Sequence, residues 1–270
     1  MPTHRLLSTA ALATLVFSAC ASPQVSMEPS SSVDLSVAMG VADATPVGVT
    51  VAPDTGDRYV LDEQHGLYRI DADGTAELVM ALTDFPVADV LPQSNWTDIA
   101  ALGDGIFALT ALSDGYLLDI ERNTLMQHFC YEPGWEEWSS EEQLTTSLGY
   151  DAATQSLFAQ PRTQLVDMDG ATPLGAAVGV YDANLGGDAP ESWYELQDDA
   201  FLATGLAVES SESLLFVEED GSIHRFRVGS QPVRLGALRT TVRVEGAALD
   251  DDVLLIVDAE TDLLLEFLVE

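Results

Sequence analysis

The residues of this chain that could do chemistry are overwhelmingly carboxylates. In LYRIDADGTAELV, Leu67 to Val79, Asp71, Asp73 and Gly74 have the spacing that opens a calcium loop, where oxygens two residues apart converge on a hard cation. His65 and His224 stand near further acids, but neither has a serine neighbour in a nucleophile-elbow context, so no Ser-His-Asp set can be placed. Cys130 has His128 two residues away, on the same face of any strand, which is the minimum for an activated thiolate. Without a base held against it, such a cysteine is a small buried apolar residue. Cys20 is the only other cysteine, so no disulfide framework holds the fold.

The charge balance narrows the partners. Forty-five acidic residues face ten basic ones, all arginine, for a formal charge of −35. No cluster of cations is available to neutralise phosphates, which excludes nucleic acid as a partner. So strong a self-repulsion is tolerated best where salt screens it, and a heavily solvated acidic surface is its simplest meaning.

The first residues, MPTHRLLSTAALATLVFSACAS, read as a secretory signal. His4 and Arg5 form the positive n-region, Leu6 to Phe17 an apolar stretch too short to span a bilayer, and Ser18-Ala19 the small residues before a cleavage point. A cysteine placed directly after them makes the segment resemble a bacterial lipoprotein signal, which implies that Cys20 is lipidated and begins the mature chain. Ala21 after that cysteine resembles the outer-membrane members, which implies a periplasm-facing or outward-facing envelope protein. Residues 20–32 are rich in Ser and Pro and are expected to serve as a tether.

The elements that position the acids come from a repeat. Helical periodicity is scarce, and short apolar runs broken by Gly, Asp and Pro recur along the chain. Segments starting near Gly48, Asp98, Leu148, Gly205 and Gly246 each make a small-residue strand, an acidic turn and a more hydrophobic strand. Their spacing of roughly 40 to 55 residues is that of four-stranded propeller blades. This predicts an all-β protein, a β-propeller of five four-stranded blades over 33–270, with six blades as the alternative. The last copy stops after three strands, and VDLSVAMGV, Val33 to Val41, is expected to add the missing outer strand and close the ring.

VGVTVAPDTGDRYVLDEQHGLYRIDADG, TGLAVESSESLLFVEEDGSIHRF and EGAALDDDVLLIVDAETDLLLEF resemble blades of the NHL, SMP-30 (gluconolactonase) and SdiA-regulated-like β-propellers, whose repeats often read EGhAhDxxxxxLYVxDxxxxxIhRF. The resemblance implies the fold over most of the mature chain. It does not imply one activity, because the same blade serves lactonases, other hydrolases and surface binders. Enzymatic SMP-30 members carry a glutamate at the first blade entry, together with asparagines and an aspartate around one metal. Here that entry is Pro46-Val47-Gly48 and only Asn95 lies near an entry, so the lactonase set is not carried over.

With strands A to D counted outward from the axis, D-to-A and B-to-C connections share one face, the channel mouth, and A-to-B and C-to-D turns share the other. Asp71 to Gly74 is then a C-to-D hairpin turn on the far face, with Gly supplying a positive backbone angle, and not a metal loop. Asp62, Glu218 and Asp258 at the B-to-C connections, with Asp98 and Glu245 at strand A entries, are expected to ring the channel mouth. There they could hold calcium, the one cofactor the pattern suggests, or simply bond backbone amides. Two insertions fall on the same face: Tyr131–Gln143, with Trp135 and Trp138 as an aromatic platform or a core lid, and Pro161–Gly175, with Arg162. The pattern favours a monomeric, lipid-anchored module that binds a ligand or envelope protein, with a metal-dependent hydrolase of a lactone, ester or phosphoester as the alternative.

Overall fold

The computed structural model describes residues 25–86, 96–111, 114–130, 146–161, 165–166, 173–184, 192–196, 203–238 and 242–269. The described chain starts with β1 (Val25–Met27), β2 (Ser31–Asp34) and a short helix α1 (Leu35–Met39). Blade 1 follows as β3 (Pro46–Val51), β4 (Arg58–Asp62), β5 (Gly66–Ile70) and β6 (Ala76–Ala81). Blade 2 is β7 (Trp96–Gly103), β8 (Ile106–Ala111), β9 (Asp114–Asp119) and β10 (Thr124–Cys130). Blade 3 comprises β11 (Thr146–Asp151), β12 (Ser156–Pro161), β13 (Leu165–Val166), β14 (Pro173–Asp182) and β15 (Ser192–Leu196), with β13 pairing the start of β14 inside the enlarged B-to-C connection. Blade 4 is β16 (Ala203–Ser210), β17 (Ser213–Glu218), β18 (Ser222–Arg227) and β19 (Val233–Leu238), and blade 5 is β20 (Val244–Asp250), β21 (Val253–Asp258) and β22 (Leu263–Leu268).

These sheets form a five-bladed β-propeller. The inner strands β3, β7, β11, β16 and β20 pack in ring order around the axis. The five segment starts read from the sequence all fall in these inner strands.

The ring geometry explains the unbroken apolar runs. A middle strand of a blade is covered on both faces by neighbouring blades, so it needs no polar side. In VLLIVD of β21, Leu255 and Val257 pack with Val49, Val60 and Tyr68 of blade 1. Their alternates Leu254 and Ile256 pack with Ala207, Leu215 and Val217 of blade 4. In β17, Leu214 and Phe216 meet Phe158 and Val178 of blade 3, while Leu215 and Val217 face blade 5.

An N-terminal strand closes the ring, but its position differs from the expectation. The closing strand β2 pairs antiparallel with β22, Ser31 opposite Glu266 and Asp34 opposite Leu263. Residues 35–39 of the expected strand are helical instead. Asp34 caps that turn by accepting from Val37 N at 2.9 Å, and Gly40 ends it in the left-handed conformation at φ 69°. These two caps outweigh the apolar alternation of VDLSVAMGV. The pairing also starts earlier than residue 33, since β1 adds to the outer edge of blade 4, parallel to β19. Residues 25–34 thus run along the outer strands of blades 4 and 5, where a free tether was expected. Arg58 ties the seam from inside blade 1: its guanidinium lies 2.7 Å from Asp250 and 2.6 Å from Glu266, both in blade 5.

Candidate functional site

Asp62, Glu218 and Asp258 are the last residues of β4, β17 and β21 at the mouth face, while Thr110 and Gln160 stand one position before the ends of β8 and β12. Asp62 is fully buried and accepts from the backbone N–H of Thr45, Gln64 and His65 at 2.6, 2.9 and 2.8 Å. Asp258 repeats the device, accepting from Arg243 N at 2.9 Å, Glu260 N at 3.0 Å and the Thr261 hydroxyl at 2.5 Å. In both, the carboxylate joins the approach to strand A to its own B-to-C turn, and several donors hold it in place. Thr110, also buried, accepts from the Thr97 hydroxyl at 3.0 Å.

The strand A acids are placed differently. Asp98 is buried, with Oδ1 accepting from Ile99 N at 2.8 Å and Oδ2 from Leu148 N at 2.9 Å, so it links blade 2 to blade 3 beside the axis. Glu245 Oε1 lies 3.2 Å from Arg243 Nε, and Glu218 Oε2 lies 3.7 Å from His224 Nε2. The five acids therefore lie on the expected face but are not gathered into a calcium shell. Among the described residues no group of three His, Cys, Asp or Glu side chains is arranged to hold a metal ion. The oxygens of Asp62, Asp98 and Asp258 point at N–H and O–H donors, the opposite of what a cation requires. Trp135, Trp138, Arg162 and Cys20 lie outside the described residues.

The axis itself is not a ligand channel at its mouth. Gly48, Gly205 and Gly246 bring the inner strands so close that a Cβ on Gly246 would stand 2.8 Å from Gly48 Cα, and one on Gly48 2.5 Å from Asp98 Oδ1. A cavity of about 60 Å³ remains further along, lined by residues such as Val49, Ile99, Leu206 and Ala247. It has room for a few waters and no substrate. On the far face, a groove of about 530 Å³ follows the seam between blades 5 and 1, lined by Ser31, Arg58, Asp71, Asp73 and Glu266 among others. Asp71 to Gly74 borders it as a closed turn. Asp71 N donates to Thr75 O at 2.8 Å, Gly74 sits at φ 80°, and Asp73 Oδ1 accepts from Thr75 N and Oγ1.

One pairing on the mouth face was not anticipated. His65 Nδ1 lies 2.8 Å from Asp62 Oδ1, and its Nε2 lies 3.6 Å from Asp43. Because Asp62 is a carboxylate, Nδ1 carries the proton and the partly exposed Nε2 is turned outward. The sequence signal is the i, i+3 spacing from the strand-end aspartate, the same spacing by which Thr261 meets Asp258. Next to it, burial first, then Asp62 and Glu245, push the Glu63 carboxyl above its ordinary value. Blades 5 and 1 thus share a patch of Asp43, Asp62, Glu63, His65 and Glu245 at the mouth.

No family model and no curated protein matches the sequence. Solved structures do. A virginiamycin B lyase from Staphylococcus aureus superposes with a TM-score of 0.50 at 10% identity, over 89% of this chain and 99% of that one. A gluconolactonase from Xanthomonas campestris gives 0.52 at 14% identity, over 85% of this chain and 74% of that one. The likeness is one of fold. Both neighbours are β-propellers, as the blade motifs implied, and at these identities neither activity transfers.

Proposed function

We propose that this chain is a lipid-anchored, extracytoplasmic propeller that binds a ligand or protein partner through its channel-mouth face. One observation carries it: the buried acids of that face are used to hold loops. Asp62 and Asp258 fix two B-to-C turns, and Asp98 fixes the blade 2 to blade 3 junction. A face built this way is rigid and preorganised, which lowers the ordering cost of binding.

A photo-crosslinking side chain placed in the envelope-resident protein at Gln64 or Glu260, both on the mouth, should give adducts that are absent from Thr55 or Asp251 on the far face. Equal yields from both faces would refute the assignment. Metabolic labelling with a lipid analogue tests the anchor separately, with label expected on the native chain and lost in Cys20→Ser. An unlabelled native chain would remove the anchor and leave the binding face untouched.

The hydrolase alternative is favoured by the Asp62–His65 pair, an imidazole oriented by a buried carboxylate and open on its second nitrogen. Lactone, aryl-ester and phosphoester turnover should then fall at least a hundredfold in His65→Ala. Turnover that survives that change would exclude His65 as the base.

A further inference from the structure

Beyond Glu28, the longest run of the chain without an acidic residue is Gly221 to Val244. The same run holds Arg225, Arg227, Arg234, Arg239 and Arg243, five of the ten arginines. Most of its described part is β18, β19 and the turn between them, the outer hairpin of blade 4. Two of these arginines are already engaged, Arg225 with Glu209 at 2.7 Å and Arg243 with Glu245 at 3.2 Å. Arg227 and Arg234 are exposed, and neither forms an ion pair with a carboxylate among the described residues; Arg234 donates to Ser222 Oγ at 2.9 Å. Between them in the chain stand Val228 and Val233, 43% and 61% exposed. Acids adjoin the hairpin at Asp220, just before β18, and at Glu212, whose carbonyl oxygen accepts from Val228 N at 3.0 Å.

The N-terminal strand arrives at this hairpin. β1 pairs with β19 from Val25 opposite Gly236 to Met27 opposite Leu238, so Val233 to Leu235 remain an open edge beside it. The pairing is parallel, and the N-terminal end of β1 therefore faces the Val233 end of β19. Four residues separate Val25 from Cys20. Five Cα steps reach at most about 18 Å, so an acyl group on Cys20 would hold this corner close to the bilayer. A body of charge −35 at that distance is repelled by anionic headgroups on its acidic sides and attracted on its acid-free hairpin.

We propose that the outer edge of blade 4, at Arg227, Val228, Val233 and Arg234, is a membrane-docking surface. The two guanidinium groups take anionic phospholipid headgroups, and the two valines sit in the interfacial layer between them. Two cations are too few to hold nucleic acid, but beside a tether this short they are sufficient to choose the side on which the protein lies. Val228 belongs to a C-to-D turn, on the far face, so docking here leaves the mouth open to a partner. The proposal rests on the anchor at Cys20 and adds the orientation of the propeller on the lipid.

The test uses the full chain as processed in the envelope, reconstituted into vesicles, with a photo-crosslinking side chain at Val233 or at Met126. Met126 is equally exposed, on the outer strand of blade 2. With phosphatidylcholine and phosphatidylglycerol at about three to one, Val233 should give phospholipid adducts and Met126 few. Each arginine near such a surface is worth roughly a factor of five, so Arg227→Gln with Arg234→Gln should cut the Val233 yield roughly tenfold or more. Salt at about 1 M should do nearly the same without changing a residue. In phosphatidylcholine alone the double variant and the native chain should give equal yields.

Equal yields at Val233 and Met126, or a Val233 yield indifferent to both the arginines and salt, would overturn the docking surface. So would adducts from Val233 in the envelope that join the chain to another protein and not to phospholipid. If metabolic labelling leaves Cys20 bare while Val233 still takes up phosphatidylglycerol, the anchor falls and the surface stands. A labelled Cys20 with Val233 silent removes the surface and keeps the anchor.

Discussion

Gly246→Ala tests whether the propeller axis is pinched shut at the mouth. The added Cβ would stand 2.8 Å from Gly48 Cα, 3.1 Å from Val49 N and 3.3 Å from Gly48 C. Non-bonded carbons prefer about 3.5 to 4.0 Å, so blade 5 and blade 1 must part by roughly 0.7 Å. All three neighbours are backbone atoms of β3, which is paired to β4 and packed on β7, so no side chain can rotate away. Overpacking of this kind costs about 3 kcal/mol, at the upper end of the usual range. Alanine returns about 0.5 to 1 kcal/mol by restricting the unfolded chain, and Gly246 is not in the left-handed region, so no backbone strain is added. The net loss of about 2 kcal/mol should lower Tm by roughly 4 to 8 °C, read by circular dichroism in fixed salt. Gly56→Ala is the control. That residue has φ +76° and nothing within 4 Å, so only the left-handed cost of about 1 kcal/mol applies. Gly246→Ala melting at or above the native chain, or above Gly56→Ala, would refute the close approach and reopen the axis as a ligand path.

Three further perturbations follow from the same geometry. Asp98→Asn should cost about 2 to 3 kcal/mol, because an NH₂ then faces either Ile99 N or Leu148 N, and should appear as a lower denaturant midpoint at unchanged slope. Arg58→Leu leaves Asp250 and Glu266 opposed across the seam without their cation. A loss of about 1 to 2 kcal/mol is expected at low salt, shrinking at high salt, where a salt-independent loss would point to packing instead. Burial first, then Asp62 and Glu245, raise the folded pKa of Glu63 above the ordinary carboxylate value, so stability is lost as pH rises through the folded value and is fully present below the unfolded one. Glu63→Gln should therefore raise Tm at neutral pH and leave it unchanged below pH 4.5, and a gain that persists in acid would contradict the electrostatic cause.

The ring was legible in the sequence because blade chemistry is local. Small residues at Gly48, Gly205 and Gly246 mark strands that must approach one another, and runs such as VLLIVD mark strands covered on both sides. The closing strand was legible in kind but not in register. Ser31 and Ser32 carry no strand signal of their own, and Asp34 and Gly40 gave the apolar residues between them to a helix. Which acids share the mouth face was legible from blade geometry. Their state was not, since whether an oxygen faces a neighbour's N–H depends on the distance from Asp98 to Leu148 or from Asp258 to Arg243. Those contacts join residues 50 and 15 positions apart in the chain.

The abundance of carboxylates makes calcium the natural first thought for this surface, but at Asp62, Asp98 and Asp258 the oxygens face backbone N–H donors. A loop entering and leaving a buried inner strand brings several backbone N–H groups to one place, and a short carboxylate satisfies two or three of them at once. Asp62 and Asp258 are at such places and are used up there.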